Sequence, residues 1–407
     1  MTMGWTLREP HRGRFIDAAD YVAVAVALSL PWSTSATSIL VALWVLLLLP
    51  TLDVSALGRE LKTPAGGLPA LLVVLAALGV LWADVMWAAR IEGFISFLKL
   101  AIIPLLMVHF QRSQRGRCVI YALLAACVAL LAASDAMTMF PSVLYVEGKN
   151  YGVVVKDYIN QSGFFALAAF TLTEIALECW RNGKRLLAAA LVVLIALFLA
   201  NIVLVVTGRT TIMVMPVLGL LFGFRHARWK GLLAAGVVAA VVAGLAWSVS
   251  PYLRQRLQST LVEQTVVGDH FEPSSTELRR AFWTASFAIA RQAPLLGHGT
   301  GSIHAMFERY AAGHPNSLVD EATNPHNQTF AVAIQLGLVG TLLLYAMWLS
   351  HFWLFRGAGL VAWFGTAVVV QNFVSSLVNS HLFDFTQGWT YAVFVGVAGG
   401  MIRRKNR

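Results

Sequence analysis

The chain has 407 residues, 58% of them hydrophobic and only 12% charged, with a mean hydropathy of +0.70. Soluble domains carry about 25% charged residues, so this balance excludes an ordinary soluble fold and points to a polytopic membrane protein. The net charge of +10 is then a topology signal first, and nucleic acid is not an expected partner.

In chain order, the basic N-terminal stretch (Arg8, Arg12, Arg14) shows no cleavage-site pattern, so no removable signal peptide is expected. Apolar runs of bilayer length follow at approximately 17–33, 36–52, 67–87, 93–110, 118–140, 160–180, 185–206, 209–224, 230–250, 327–354, 357–380 and 387–402. The eighth is short, and Thr207-Gly208-Arg209 separates it from the seventh. The expected fold is all-α, with about 12 transmembrane helices. Residues 1–250 hold helices 1–9, 251–326 form a large external helical segment, and 327–407 hold helices 10–12 and a basic tail. Cys118, Cys127 and Cys179 lie in or beside apolar runs without metal spacing, and are expected as free, buried thiols.

Basic residues set the orientation. With the N-terminus in the cytoplasm, most of the 30 lysines and arginines fall on inner segments, among them Arg112, Arg115, Arg117, Arg181, Arg225, Arg228, Arg356 and Arg403. The short outer loops hold only Arg90, Lys149, Lys156 and Arg209. Both termini are therefore expected inside and the long segment outside. The polar residues that topology does not explain collect outside: Lys149, Lys156, Arg209, Arg279, Arg280, His326, His381 and Asp384. No GxxxxGK[ST] loop is present, so chemistry outside, away from nucleotides, is the expectation.

The segment 251–326 reads as folded. Ser274-Ser275-Thr276-Glu277 has the form of a capping box with Ser274 at the N-cap. The helix that follows, about 275–292, sets Leu278, Phe282, Ala285 and Ile289 on one face and ends at Pro294. Leu296-Gly297-His298-Gly299-Thr300-Gly301-Ser302 reads as a tight turn before a second helix at about 302–312; the alternative is an anion-binding backbone. Trp283, Phe287, Phe307 and Tyr310 suit the membrane interface.

Four places can carry chemistry. Arg209 is either a snorkelling side chain or a fixed cation for phosphate. Arg279 and Arg280 suit a diphosphate headgroup, or a solvated helix face. His326 titrates near neutrality between two conformation-fixing residues, Pro325 and the potential helix cap Asn327. Ser380, His381 and Asp384 lie in the last outer loop or at its edge, where a carboxylate orients an imidazole or a substrate hydroxyl, or is an ordinary loop charge. No histidine spacing suggests a metal.

These residues resemble the bacterial O-antigen ligases, in a superfamily with O-antigen polymerases and protein O-oligosaccharyltransferases. Thr207-Gly208-Arg209, Arg279 with Trp283 and the downstream Pro294-Leu295-Leu296-Gly297-His298-Gly299-Thr300-Gly301, and Pro325-His326-Asn327 before Gln335-Leu336-Gly337-Leu338-Val339-Gly340 carry the likeness. It covers roughly 200–400 well, and the first half mainly by topology. The residue before the arginine is Gly208, where the family often has serine.

The resemblance implies a GT-C-like, metal- and cofactor-independent inverting glycosyltransferase of the bacterial inner membrane with a periplasmic site. It would move a polysaccharide from undecaprenyl diphosphate to a sugar hydroxyl of lipid A–core. By that analogy His326 is the base, Arg209, Arg279 and Arg280 bind diphosphate, and Asn327, Lys149, His381 and Asp384 support them. The rivals are an O-antigen polymerase and a lipid-linked-sugar transporter, the latter disfavoured by the lack of internal repeats.

Overall fold

The computed structural model of the chain describes residues 9–141, 152–249, 254, 258, 264–267, 270–273, 275–315, 317–319 and 322–405. It is a helical bundle: α1 (Glu9–Ser29), α2 (Thr34–Leu48), α3 (Val54–Leu61), α4 (Pro64–Trp82), α5 (Trp87–Leu98), α6 (Ile102–Phe110), α7 (Gly116–Met139) and α8 (Tyr158–Arg181) come first. They are followed by α9 (Arg185–Leu204), α10 (Arg209–Val249), α11 (Ser275–Gln292), α12 (Ile303–Ala312), α13 (Gln328–Leu354), α14 (Leu360–Ser376) and α15 (Phe385–Lys405). Among the described residues, 8 helices are long and apolar enough to cross a membrane. Every predicted apolar run falls on a helix, with shifted ends; α1, for example, starts at Glu9 rather than near 17.

A hairpin of two antiparallel strands, β1 (Gln264–Val267) and β2 (His270–Pro273), interrupts the otherwise helical chain. β-branched Thr265, Val266 and Val267 give the local reason for β1. The sequence analysis read no strand there. The proposed Ser274 cap lies outside the described residues.

Single residues explain the departures from straight helices. Helix α10 breaks at Ala227 and Arg228, where φ of Arg228 is +51°. It is a hairpin of two arms, and a Cβ on Gly223 would collide with the Gly231 carbonyl across it. This matches the boundary expected between the eighth and ninth runs. The fourth run is two helices joined by a 3-10 turn at Lys99–Ala101. The amphipathic α3, shorter than a membrane span, has no counterpart among the predicted apolar runs; Asp53 caps it, with Oδ1 accepting from Ala56 N–H at 2.9 Å.

Helix α13 breaks at Gly337, where φ is +61°. The glycine-rich turn fills the break. His298 N–H donates to Ile334 O at 2.8 Å and Gly299 N–H to Gln335 O at 2.9 Å. In return Leu338 N–H donates to Pro294 O at 2.8 Å and Val339 N–H to Leu295 O at 3.2 Å. The turn therefore supplies the hydrogen bonds that the interrupted helix lacks, as apolar surroundings demand. Gly297, Gly299 and Gly301 all have positive φ, and Gly301 N–H is already bonded to Gln335 Oε1 at 2.7 Å, which favours the turn over the anion-binding reading.

A main core of buried apolar side chains runs through α1, α2, α4–α10 and α13–α15. A smaller core joins α11, α12 and α13 through Ala285, Ile289, Met306, Phe307 and Ile334. Phe307 is fully buried there, not at an interface. Cys118 is likewise exposed rather than buried, whereas Cys127 is buried; all three cysteines are free.

Candidate functional site

One end of the bundle carries a polar rim built from the starts of α8 and α10, from α11, from the turn before α13 and from the α14–α15 loop. Asn327 caps α13: Oδ1 accepts from Thr329 N–H at 2.9 Å and Phe330 N–H at 3.2 Å. Its Nδ2 donates to Leu377 O at 2.8 Å, tying the cap to the α14–α15 loop.

His326 has φ +48°, a left-handed conformation uncommon outside glycine and concentrated at functional sites. An Asx turn holds it there: Asn324 Oδ1 accepts from His326 N–H at 2.9 Å and from Ser380 Oγ at 2.7 Å. The ring stacks on Phe282 of α11, with centroids 5.7 Å apart and planes 16° from parallel.

Nδ1 of His326 lies 3.4 Å from Asn379 Oδ1, and Asn379 Nδ2 donates to Thr210 Oγ1 at 3.1 Å. The second bond turns the amide so that its oxygen faces the ring. Nδ1 therefore carries the proton of the neutral imidazole, and the Nε2 lone pair is left for another proton. Burial lowers the His326 pKa below the usual histidine value; the Asn379 bond opposes this and nearby Arg279 adds to it. The ring is neutral at pH 7.

Arg209 opens α10 and Arg279 sits on the second turn of α11. Both are half-buried. Burial lowers the Arg279 pKa, and the Arg209 guanidinium lowers it further, while Tyr158 opposes the shift. Two like charges that act on each other favour an anion near both. The adjacent Arg280 is exposed, so the structure separates the pair that the sequence left equivalent. A Cβ at Gly208 would come within 2.5 Å of Ser162 Oγ, and that hydroxyl lies 2.8 Å from Thr211 Oγ1. α8 thus brings a hydroxyl to the place where the family pattern has a serine.

His381 is buried; burial brings its pKa down to about 4, against Asp384 and Asp157 and with the help of Arg279 and His326. It is a neutral neighbour of His326. Asp384 caps α15 with Oδ1 accepting from Gln387 N–H at 2.9 Å, and Lys99 Nζ donates to its carbonyl at 2.9 Å and to Phe383 O at 3.0 Å. Lys156 donates to Leu30 O and, at 3.0 Å, to Thr386 Oγ1; burial brings its pKa down to about 8 against Asp384 and Asp157. Lys149 lies outside the described residues.

Behind the Asn324–Ser380 contact is a cavity of about 300 Å³, lined among others by Glu92, Ser96, His304, Gln335 and Phe383. Sequence reasoning missed Asn379 and Asn324. Asn379 has no local signature, since its partners Thr210 and His326 are far away in the chain. Asn324 had one: it stands two residues before His326, the spacing of an Asx turn.

The fold and its rim define a polytopic membrane protein in which two guanidinium groups and a neutral imidazole share one end of the bundle. Residues 194–345 match the family model described as O-antigen ligase, and this supports the O-antigen ligase/polymerase superfamily for the chain. That range contains Arg209, Arg279, Arg280 and His326. No curated protein matches the chain.

Proposed function

We propose that the protein is an O-antigen ligase of the bacterial inner membrane, with both termini cytoplasmic and its site periplasmic. It transfers O-antigen polysaccharide from undecaprenyl diphosphate to a sugar hydroxyl of lipid A–core. One observation carries this reading: a neutral His326, oriented by Asn379, stands beside the Arg279 cation, which in turn neighbours Arg209.

His326 Nε2 takes the proton of the acceptor hydroxyl. The acceptor oxygen forms a bond to the anomeric carbon of the donor sugar from the face opposite the diphosphate. The carbon–oxygen bond to the diphosphate breaks, and its electron pair leaves on the lipid diphosphate. Arg209 and Arg279 stabilise the charge that develops there, worth about 10²–10³ in rate for a well-placed donor. A single displacement inverts the anomeric centre. The activated donor supplies the driving force, so no nucleotide is needed. The acceptor sugar is placed in the 300 Å³ cavity, where Glu92 and His304 offer hydroxyl partners and Phe383 a flat apolar face.

The test is reconstitution of purified protein with lipid-linked glycan and lipid A–core, each omitted in turn. Product that requires both substrates supports the ligase. Glycan lengthening without lipid A–core would indicate the polymerase, and lipid translocation without transfer the transporter.

A further inference from the structure

At the opposite end of the bundle, which the basic-residue distribution assigns to the cytoplasm, lies a second unassigned feature. The first arm of α10 rises about 24 Å from Arg209 to Arg225 at 1.5 Å per residue, close to the thickness of a bilayer core. Between its far end, α13 and α14 is a cavity of about 380 Å³. Its wall is apolar and aromatic, with Phe224, Phe352 and Trp363; its mouth holds Arg225, Arg228 and Arg356. Phe224 and Phe352 are exposed at 55% and 39%, so the wall opens sideways to where acyl chains would lie.

The three arginines are arranged by the fold. Arg225 donates from Nη2 to Gly357 O at 2.6 Å and Gly359 O at 3.3 Å, and its guanidinium lies 5.7 Å from the Trp363 ring centre. Arg228 occupies the left-handed turn between the α10 arms. Arg356 stacks over Trp353 at 4.2 Å. Among the described residues, none of the three has a carboxylate within ion-pair distance. An adjoining cavity of about 460 Å³ shares Arg225 and Arg356 and adds Arg117 and Arg181 against Glu174 and Glu178. Glu174 is engaged with His226 Nε2 at 2.8 Å. The positive charge is therefore in surplus, and it sits above an apolar wall.

The structure assigns this groove to an anionic glycerophospholipid of the adjacent leaflet, its phosphate among Arg225, Arg228 and Arg356 and an acyl chain along Phe224 and Phe352. A basic mouth over an aromatic wall complements a lipid with a charged head and a hydrocarbon tail. Solitary snorkelling arginines would reach water without enclosing a cavity of this size.

The experiment measures apparent Tm of the purified protein in detergent with added dioleoylphosphatidylglycerol, dioleoylphosphatidylcholine or inorganic phosphate. Phosphatidylglycerol alone is expected to raise Tm by several degrees. The Arg228→Asn/Arg356→Gln double variant should need about tenfold more lipid for the same effect. Arg356→Gln, on an exposed residue, gives the same reading alone if the double variant fails to fold. Arg279→Gln, at the other end, should respond like wild type. Equal effects of the two lipids, a phosphate effect equal to that of phosphatidylglycerol, an unaltered response of Arg356→Gln, or loss of the response in Arg279→Gln would each overturn the assignment.

Discussion

At the residue scale, the site turns on how His326 is held. Replacing it with alanine should lower transfer by about 10²–10⁴-fold while lipid-linked donor still binds, read from single-turnover transfer and donor pull-down. Its lowered pKa fixes the sign of the pH dependence: the working form is neutral, so activity should be full at pH 7 and fall as pH drops through a value below 6.5. Arg279 is one cause of that lowering, so Arg279→Gln should move the acid limb of the rate profile upward in pH as well as reduce the rate. Arg280→Gln, on the exposed side, should do neither; an equal loss for both variants would contradict the separation of the pair. His326, Arg209 and Arg279 could be singled out as candidates in the sequence because each stands where topology alone gives it no purpose. Asn379 could not, because its partners Thr210 and His326 come from distant segments.

At the element scale, apolar runs announced the membrane helices, and the sharp breaks at Thr207-Gly208-Arg209 and near Arg228 were placed correctly. The break at Gly337 was not foreseen, because Gln335-Leu336-Gly337-Leu338-Val339-Gly340 keeps a helical, apolar character throughout. Only the four backbone hydrogen bonds from 294–299, remote in sequence, make it an interruption. Gly337→Ala should therefore destabilise the protein: φ of +61° costs a residue with a Cβ about 1–2 kcal/mol, and that Cβ would collide with the Leu295 carbonyl. The expected readout is an apparent Tm lowered by several degrees; an unchanged Tm would mean that the turn does not brace α13.

For the whole molecule, the arrangement rests on sidedness. In a variant lacking Cys118, Cys127 and Cys179, a single cysteine at Ala312 should react with a membrane-impermeant maleimide on intact spheroplasts. One at Asn182 should react only after permeabilisation. Both positions are exposed and lie at opposite ends of the bundle. Reversed labelling would put the His326 rim in the cytoplasm and remove the proposed substrates from its reach. The composition alone settled that the chain belongs in a membrane; it did not reveal the cavities, because their walls are drawn from helices far apart in sequence.

The bracing of α13 by residues 294–299 also says which parts can move. α11, α12 and α13 share a core through Ala285, Phe307 and Ile334, so Arg279 and His326 travel together as one block. Arg209 rides on α10, which the Thr210–Asn379 contact joins to the α14–α15 loop, and Asn379 in turn meets His326. On the proposed function, a slight parting of α10 from α11 would open the diphosphate subsite while Arg279 and His326 stay together, and it would release the Thr210 bond that turns Asn379 toward the imidazole. Spin labels at exposed positions on α10 and α11 should report a distance change on adding undecaprenyl diphosphate, and a pair on α11 and α13 none; movement within the α11–α13 pair would refute the single-block picture.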